Sequence, residues 1–241
     1  MESSATLKPQ PLQEILENGQ IELKGQFTRG NNYTFLVNVR HEDNEVLAVY
    51  KPLRGEQPLW DFPEASLAGR EVCAWLVSQA LGFDLVPFTL LRDGPLGPGS
   101  FQQYIDHNPN YHYFNFKPAD LERLRPVALF DLLVNNADRK GSHILVEKRT
   151  RKLYLIDHGL CFHVENKLRT VIWDFAGQPI PGELMAVLAS LQDKTDLPAR
   201  LAPYLSPEEV AALGQRAEAL QASGHFPFPP EDRRAYPFPP V

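Results

Sequence analysis

Short segments in which apolar and polar residues alternate dominate the first hundred positions of the chain. YTFLVNV approaches a period of two, and it follows the β-forming run IELKGQF across the turn-forming residues 28–32. A second polar turn leads into EVLAVYK, which ends at Lys51. This pattern predicts three consecutive antiparallel strands.

A single helix is predicted in this part of the chain. Apolar residues recur at helical spacing over 67–81, with Ser66 placed to cap the helix and Gly82 to end it. The proline-rich run 52–66 before it predicts a loop, and two strand-like runs flank the turn GPLGPG after it. The predicted order is therefore β-β-β-α-β-β.

From about residue 118 the periodicity becomes helical. Residues 119–137 are amphipathic, and Pro126 is expected to kink this helix or to split it into two. The strands HILVEK and KLYLI then form a predicted hairpin. Two later helices are predicted, at 182–192 and 206–221. The proline-rich tail is either a packed polyproline-type strap or a disordered end.

These elements predict an α+β protein with a small antiparallel β-rich N-lobe that carries one helix, and a mostly helical C-lobe. The predicted segments are an N-terminal extension (1–14), the N-lobe (15–107), the C-lobe (108–225) and the proline-rich tail (226–241).

Composition narrows the function classes. The net charge is −6, from 24 basic and 30 acidic residues, and no long basic run occurs, which argues against nucleic acid as a partner. The chain lacks an apolar run long enough to span a membrane, and its first residues do not resemble a secretory signal. Its two cysteines have no metal-ligand spacing, so we expect reduced thiols in a cytoplasmic protein.

Candidate chemistry lies at the ends of the predicted strands. A hairpin brings the residues before its first strand close to those after its second, so Asp138 and Asp157 should lie near each other, with His143 between them. Two carboxylates and an imidazole at one open end form a plausible site for a divalent cation and for proton transfer. Lys51 and Glu71 would add the phosphate-neutralising lysine and its helix partner that phosphoryl transfer requires.

The order VYK, REV, NADRKGSH and LIDHG resembles the protein-kinase-like fold in its atypical branch, the phosphatidylinositol 3-/4-kinase-like and HipA-like enzymes. DRKGSH is similar to the Asp-Arg-His-x-x-Asn catalytic loop of that branch, and IDHG is similar to its Asp-Phe-Gly metal motif. The chain also resembles an uncharacterised bacterial family that is identified by the same kinase likeness.

The resemblance implies an ATP-dependent phosphotransferase that uses Mg²⁺ or Mn²⁺. Lys51 would bind the nucleotide phosphates with Glu71 as its partner, Asp138 would be the catalytic aspartate, and Asp157 would be the metal ligand. His158 stands where the motif has Phe.

Two further nucleotide-binding segments follow from the resemblance. The loop Arg29-Gly30-Asn31-Asn32 would cover the phosphates, although it has only one glycine. In the run 102–105, Gln103 and Tyr104 would present backbone groups to adenine.

His143 is the main departure from the pattern, because that position is Asn in the family. Imidazole suits Mn²⁺ better than Mg²⁺. Three interpretations stay open: a preference for Mn²⁺, a role of His143 in phosphate binding or proton transfer, and weakened metal binding as in a pseudokinase. Lys140 stands where the lipid kinases have His.

Three functions therefore compete: a kinase-like phosphotransferase, a pseudokinase or nucleotide-binding regulatory module without turnover, and a metal hydrolase built on Asp138, His143, Asp157 and His158. A protein or small-molecule hydroxyl is expected as acceptor. A membrane lipid is disfavoured by the acidic chain but stays open.

Among the other polar residues, Asp131 is expected to support the catalytic loop, and Asn135 and Asn136 are expected to hydrogen-bond its backbone.

Overall fold

The computed structural model describes residues 11–27 and 32–241. Of the predicted phosphate-covering loop, Arg29, Gly30 and Asn31 lie outside the described residues, and Asn32 lies within them. The chain divides into two compact units. The first comprises the described residues up to Gln57 together with Phe88–Tyr104, and the second comprises Pro58–Pro87 and Ile105–Val241.

The first unit is a five-stranded antiparallel sheet with the order β1-β2-β3-β5-β4. The meander predicted from the alternating pattern is confirmed, and so are the two strands that follow the helix. The strands are β1 Gln20–Phe27, β2 Thr34–His41, β3 Asn44–Pro52, β4 Thr89–Gly94 and β5 Gly97–Gln103.

One face of this sheet carries a small apolar core. Val37, Val39 and Phe101 are fully buried there, and the Phe101 ring stacks on that of Tyr50 with the centroids 4.4 Å apart. A short helix that the sequence pattern did not reveal, α1 (Leu12–Asn18), packs its apolar residues into the same core. Burying these side chains is the main stabilising contribution to the unit.

The second unit begins with helix α2 (Leu67–Ala80), which the sequence assigns to the N-lobe. Gly82 follows the helix with a φ of +69°, a left-handed conformation that favours glycine. The predicted cap at Ser66 is wrong. Its backbone is already helical, so the hydroxyl cannot reach the first free amides and donates instead to the carbonyl of Pro63 at 2.7 Å.

The long helix predicted after residue 118 is split in two, as Pro126 allowed. Helix α3 covers Pro118–Leu121, a single 3-10 turn follows, and helix α4 covers Arg125–Val134. Pro126 lies in the first turn of α4, where a backbone amide would have no partner within the helix, so the missing N–H of proline carries no cost. Helix α4 ends at Asn135, which has a φ of +54°. The helix therefore stops immediately before the predicted catalytic loop.

The predicted hairpin is confirmed, with β6 (Ile144–Val146) pairing antiparallel with β7 (Leu153–Leu155). The remaining helices are α5 (Gly182–Ser190), α6 (Leu197–Leu201), which sequence reasoning missed, and α7 (Pro207–Ser223). Ser206 caps α7 through a reciprocal pair of bonds with Glu209. No helix among the described residues is both long enough and apolar enough to cross a bilayer.

The proline-rich tail is packed rather than disordered. Phe226 and Ala235 are buried, and several tail carbonyls accept hydrogen bonds from other parts of the second unit. Its exposed residues include Phe228, Tyr236 and Phe238. The tail therefore lies on the unit as an extended segment.

Candidate active site

The hairpin brings the predicted chemical groups of the C-terminal unit together. Ile144 pairs with Leu155, so the residues that precede β6 lie beside those that follow β7. His143 Nε2 is 3.2 Å from Asp157 Oδ2, and the charge of Asp157 raises the pKa of Asp138. The juxtaposition that the sequence predicts for Asp138, His143 and Asp157 is therefore present.

Asp138 lies in an environment that suits proton transfer near neutral pH. Burial raises the pKa of its carboxyl to about 6, while the ammonium of Lys140, 3.1 Å from Oδ2, works in the opposite direction. The side chain keeps 27% of its surface exposed, so an acceptor can reach it. The backbone amide of Asp138 donates to Asn136 Oδ1 at 2.9 Å, which holds the residue in place.

Asp157 has an unusual backbone conformation. Its φ is +66°, in the left-handed region that residues with a Cβ rarely adopt, and its side chain is 50% exposed. Such strain persists only where the surrounding structure enforces it, and it concentrates at functional sites. Here the enforcing contacts involve the residues on either side of Asp157.

Arg139 provides those contacts, and sequence reasoning did not assign it a role. Its guanidinium is completely buried and donates through Nε to both carboxylate oxygens of Asp131 at 3.0 Å. Nη1 donates to the carbonyl of Ile156 at 2.9 Å, and Nη2 lies 2.8 Å from His158 Nε2. One buried arginine thus ties helix α4 to the residues before and after Asp157.

His158 links this network to helix α2. Because a guanidinium only donates, His158 Nε2 must accept, which places the ring proton on Nδ1. The backbone amide of His158 donates to Glu71 Oε2 at 2.9 Å, and Nδ1 lies 3.8 Å from the same oxygen. Glu71 is buried, so its carboxylate helps to fix the residue after Asp157.

The metal-hydrolase interpretation is not supported by this geometry. It needs His158 as a ligand, but His158 Nε2 is bonded to Arg139 inside the unit. Within the described ranges 11–27 and 32–241, no cluster of three His, Cys, Asp or Glu side chains could hold a metal ion. A metal at this site would depend on ligands from a substrate.

The two asparagines before the loop have different partners. Asn136 bonds the loop as expected, through the amide of Asp138. The side chain of Asn135 instead donates to the carbonyls of His163 and Glu165 and accepts from the amide of Lys167. Asn135 therefore orders the segment after the metal motif.

The aromatic turn at 60–63 supports packing within its own unit. Phe62 lies under the guanidinium of Arg70, 4.9 Å from the ring centroid, and makes an edge contact with His163. Asp61 forms an ion pair with Lys167 at 2.8 Å. Asp174 accepts a hydrogen bond from the hydroxyl of Tyr113 at 2.7 Å.

Of the predicted nucleotide-binding residues in the described part of the first unit, Lys51 and Gln103 lie in strands, whereas Asn32 and Tyr104 lie just outside them. Lys51 is half-buried on β3, opposite Ser100 of β5. The amides of Gln103 and Tyr104 donate to the carbonyls of Phe88 and Leu47. A nucleotide at this run would therefore have to use other backbone groups. The roles of Lys51, Asn32, Gln103 and Tyr104 stay predictions.

Comparison with known structures identifies the fold. The chain matches the Helicobacter pylori proinflammatory kinase CtkA with a TM-score of 0.53 at 14% identity, over 86% of this chain and 93% of that one. At this identity the match establishes the fold alone. The prediction of a kinase-like α+β fold, with an antiparallel sheet followed by a helical part, is confirmed.

Sequence comparisons identify relatives. No protein-family model matches the chain. Phosphatidylinositol 4-kinase gamma 4 of Oryza sativa subsp. japonica is 25% identical over 79% of this chain, which spans 44% of that protein. Protein Rv2133c of Mycobacterium tuberculosis is 39% identical over 89% of this chain and 93% of its own length. The chain therefore belongs to the same family as Rv2133c.

Proposed function

We propose that the protein is an ATP-dependent phosphotransferase that transfers a phosphoryl group to a hydroxyl acceptor. The observation that carries the proposal is the convergence of Asp138, His143 and Asp157 at one end of a hairpin, in a chain with a kinase fold. The similarity to a plant phosphatidylinositol 4-kinase supports the same class of reaction. Phosphoryl transfer depends mainly on positioning and charge neutralisation, which these residues can supply.

Asp138 acts as the base in this proposal. The acceptor oxygen forms a bond to the γ-phosphorus, the bond from that phosphorus to the β,γ-bridging oxygen breaks, ADP leaves, and the acceptor proton passes to Asp138. A carboxyl with a pKa of about 6 is mostly ionised at pH 7, yet it can hold a proton transiently.

Asp157 and His143 would hold a divalent cation that neutralises phosphate charge. Their facing atoms, 3.2 Å apart, can turn towards one ion, and an ATP-bound metal normally needs only one or two protein ligands besides phosphate oxygens and water. A carboxylate with an imidazole suits Mn²⁺ at least as well as Mg²⁺. Lys51 is proposed to neutralise the nucleotide phosphates, and Glu71 holds the amide of His158.

The test is ADP formation from ATP with Mg²⁺ or Mn²⁺. We expect Asp138→Asn to lower the rate about 10²–10⁴-fold, the usual contribution of a positioned acid or base. Asp106→Asn is the matched control, because Asp106 pairs with Lys148 at the surface and this change should leave the rate unaltered. Equal rates in wild type and Asp138→Asn would refute the assignment of Asp138.

One contact favours a second candidate, a pseudokinase. His143 Nε2 already lies within hydrogen-bonding distance of Asp157 Oδ2, which could reduce the affinity of Asp157 for a metal. A pseudokinase binds ATP without forming ADP. ATP binding together with no ADP formation under either metal would therefore favour it over the phosphotransferase.

A further inference from the structure

The last nine residues form an extended strap on the second unit, and we call residues 233–241 the C-terminal strap. The guanidinium of Arg233 donates to the carbonyl of Leu168 and to Asn166 Oδ1, both at 2.8 Å. The carbonyl of Ala235 accepts from the amide of Thr170 at 3.1 Å and from Trp173 Nε1 at 3.2 Å. These bonds attach the strap to the segment 166–173.

A second attachment lies further along the strap, on the catalytic loop itself. The carbonyl of Pro240 accepts from the amide of Gly141 at 2.8 Å. Gly141 is the third residue after Asp138. A side chain at this glycine would meet the ring of Phe114 at 2.9 Å, so the backbone there is closely surrounded.

The two attachment points are connected to each other, because the segment 166–173 also pairs with the catalytic loop. The amide of Arg139 donates to the carbonyl of Arg169 at 2.9 Å, and the amide of Val171 donates to the carbonyl of Arg139 at 3.2 Å. The strap therefore binds both the catalytic loop and the segment that pairs with this loop directly after Asp138.

The strap resembles a bound peptide more than a part of the core. Its carbonyls bind backbone amides, a mode that recognises extended polypeptide largely independently of sequence. Only Ala235 and Pro237 are buried, whereas Tyr236 is 50% exposed and Phe238 is 74% exposed. Little apolar burial would be lost if another chain took its place.

We propose that the surface formed by residues 166–173 and Gly141 is a binding site for extended polypeptide, which the C-terminal strap occupies in cis, and that a polypeptide acceptor replaces the strap during phosphoryl transfer. The acceptor half of this inference rests on the proposed function, whereas the peptide site does not. The phosphoryl group of ATP would pass to a side-chain hydroxyl of the incoming polypeptide. The proton of that hydroxyl would pass to Asp138, and ADP would leave.

The first arm of the test weakens the strap in the full-length protein. Arg233→Ala removes the hydrogen bonds to Leu168 and Asn166. Arg234→Ala makes the same change in charge at an exposed side chain whose contact, with the ring of Phe238 at 5.3 Å, lies within the strap itself. Hydrogen exchange at the amides of Gly141 and Thr170 should accelerate at least tenfold in Arg233→Ala and stay unchanged in Arg234→Ala. Equal protection in all three proteins would overturn the inference.

The second arm measures binding of a fluorescent peptide with the sequence of residues 229–241. The tethered strap has a high effective concentration, so the peptide should bind Arg233→Ala at least tenfold more tightly than it binds wild type or Arg234→Ala. Ala235→Trp unseats the strap by a different route, through its buried methyl group, and should behave like Arg233→Ala. If the peptide bound neither Arg233→Ala nor Ala235→Trp, the proposed polypeptide-binding site would be overturned.

The third arm tests the acceptor with dephosphorylated casein and, separately, with vesicles containing phosphatidylinositol. Transfer to casein should be at least fivefold faster in Arg233→Ala than in wild type, and the strap peptide should inhibit it. Transfer to the vesicles alone would overturn the polypeptide acceptor. Peptide binding without transfer to either would refute the proposed function while supporting the peptide site.

Discussion

Asp138 and Lys140 show how single residues set the chemistry of the candidate site. Burial raises the pKa of Asp138 to about 6, and the ammonium 3.1 Å away prevents a larger rise. A base must be deprotonated to act, so activity should increase as the pH rises through this value. The pair thus places the pH range in which Asp138 can act as a base near neutral pH.

Removing the cation should move that range. In Lys140→Gln the carboxylate loses a favourable charge, so the pKa of Asp138 rises and the midpoint of the acid limb of kcat shifts to higher pH. The measurement is ADP formation from pH 5 to 9. Lys148→Gln, which removes an exposed lysine paired with Asp106, is the control and should leave the midpoint in place. An unmoved midpoint in Lys140→Gln would contradict the electrostatic role of Lys140.

His143 should determine which metal the site prefers. Replacing its imidazole by an amide oxygen donor in His143→Asn favours Mg²⁺ relative to Mn²⁺, since Mg²⁺ prefers oxygen ligands. We expect the ratio of activities with the two metals to shift towards Mg²⁺ by about an order of magnitude. Titrations of ADP formation against each metal give this ratio. An unchanged metal profile would mean that His143 is not a ligand.

At the scale of elements, a buried polar network joins helices α2 and α4 to the hairpin. Asp131 lies on α4, Arg139 on the loop, His158 after β7 and Glu71 on α2, and each bonds the next. All of these side chains are buried, so the contacts are shielded from solvent and strongly directional. The network explains how Asp157 can keep a left-handed conformation.

Breaking this network should destabilise the fold. Asp131→Ala leaves the Arg139 charge buried without its carboxylate, which costs about 3–5 kcal/mol of unfolding free energy. Asp106→Ala breaks an exposed ion pair and should cost only about 0–1 kcal/mol. Urea denaturation of both variants tests the difference. If the two changes cost the same, the buried pair does not stabilise the unit.

Sequence periodicity predicted most elements because each has a local signal. The alternation of apolar and polar residues predicted β2, and apolar residues at helical spacing predicted α2. Pro126 indicated the break before α4. Ser66 was wrong as a cap because a serine before an apolar run does not fix its own backbone angles, whereas Ser206 with Glu209 carries the reciprocal pattern that does. Short helices such as α1 and α6 lack enough residues to show a period.

The site was predictable to the extent that it depends on the hairpin. The pairing of the two hairpin strands places Asp138 near Asp157 independently of the contacts that their side chains make. The role of Arg139 was not predictable, because an arginine in a polar loop is normally solvated and only tertiary packing buries it. One signal was available: Arg139 directly follows the proposed base, at a position that the kinase-like loops share.

At the scale of the whole molecule, the kinase fold and the relationship to Rv2133c cover nearly the entire chain. The plant lipid kinase is similar over 79% of this chain. In the present structure the C-terminal strap binds the amide of Gly141, three residues after Asp138. These comparisons establish the fold and the family, and under our proposal the strap is the feature that bears on the choice of acceptor.

The central claim is that the protein binds ATP together with a divalent metal held by Asp157. The most direct test of this claim is thermal unfolding with ATP and either Mg²⁺ or Mn²⁺. ATP at a hundredfold excess over its Kd should stabilise the wild-type protein by about 2.7 kcal/mol, a rise in Tm of roughly 5–10 °C. Asp157→Asn should lose this metal-dependent rise, and Asp106→Asn should retain it. No rise with either metal, or an equal rise in Asp157→Asn, would contradict the account.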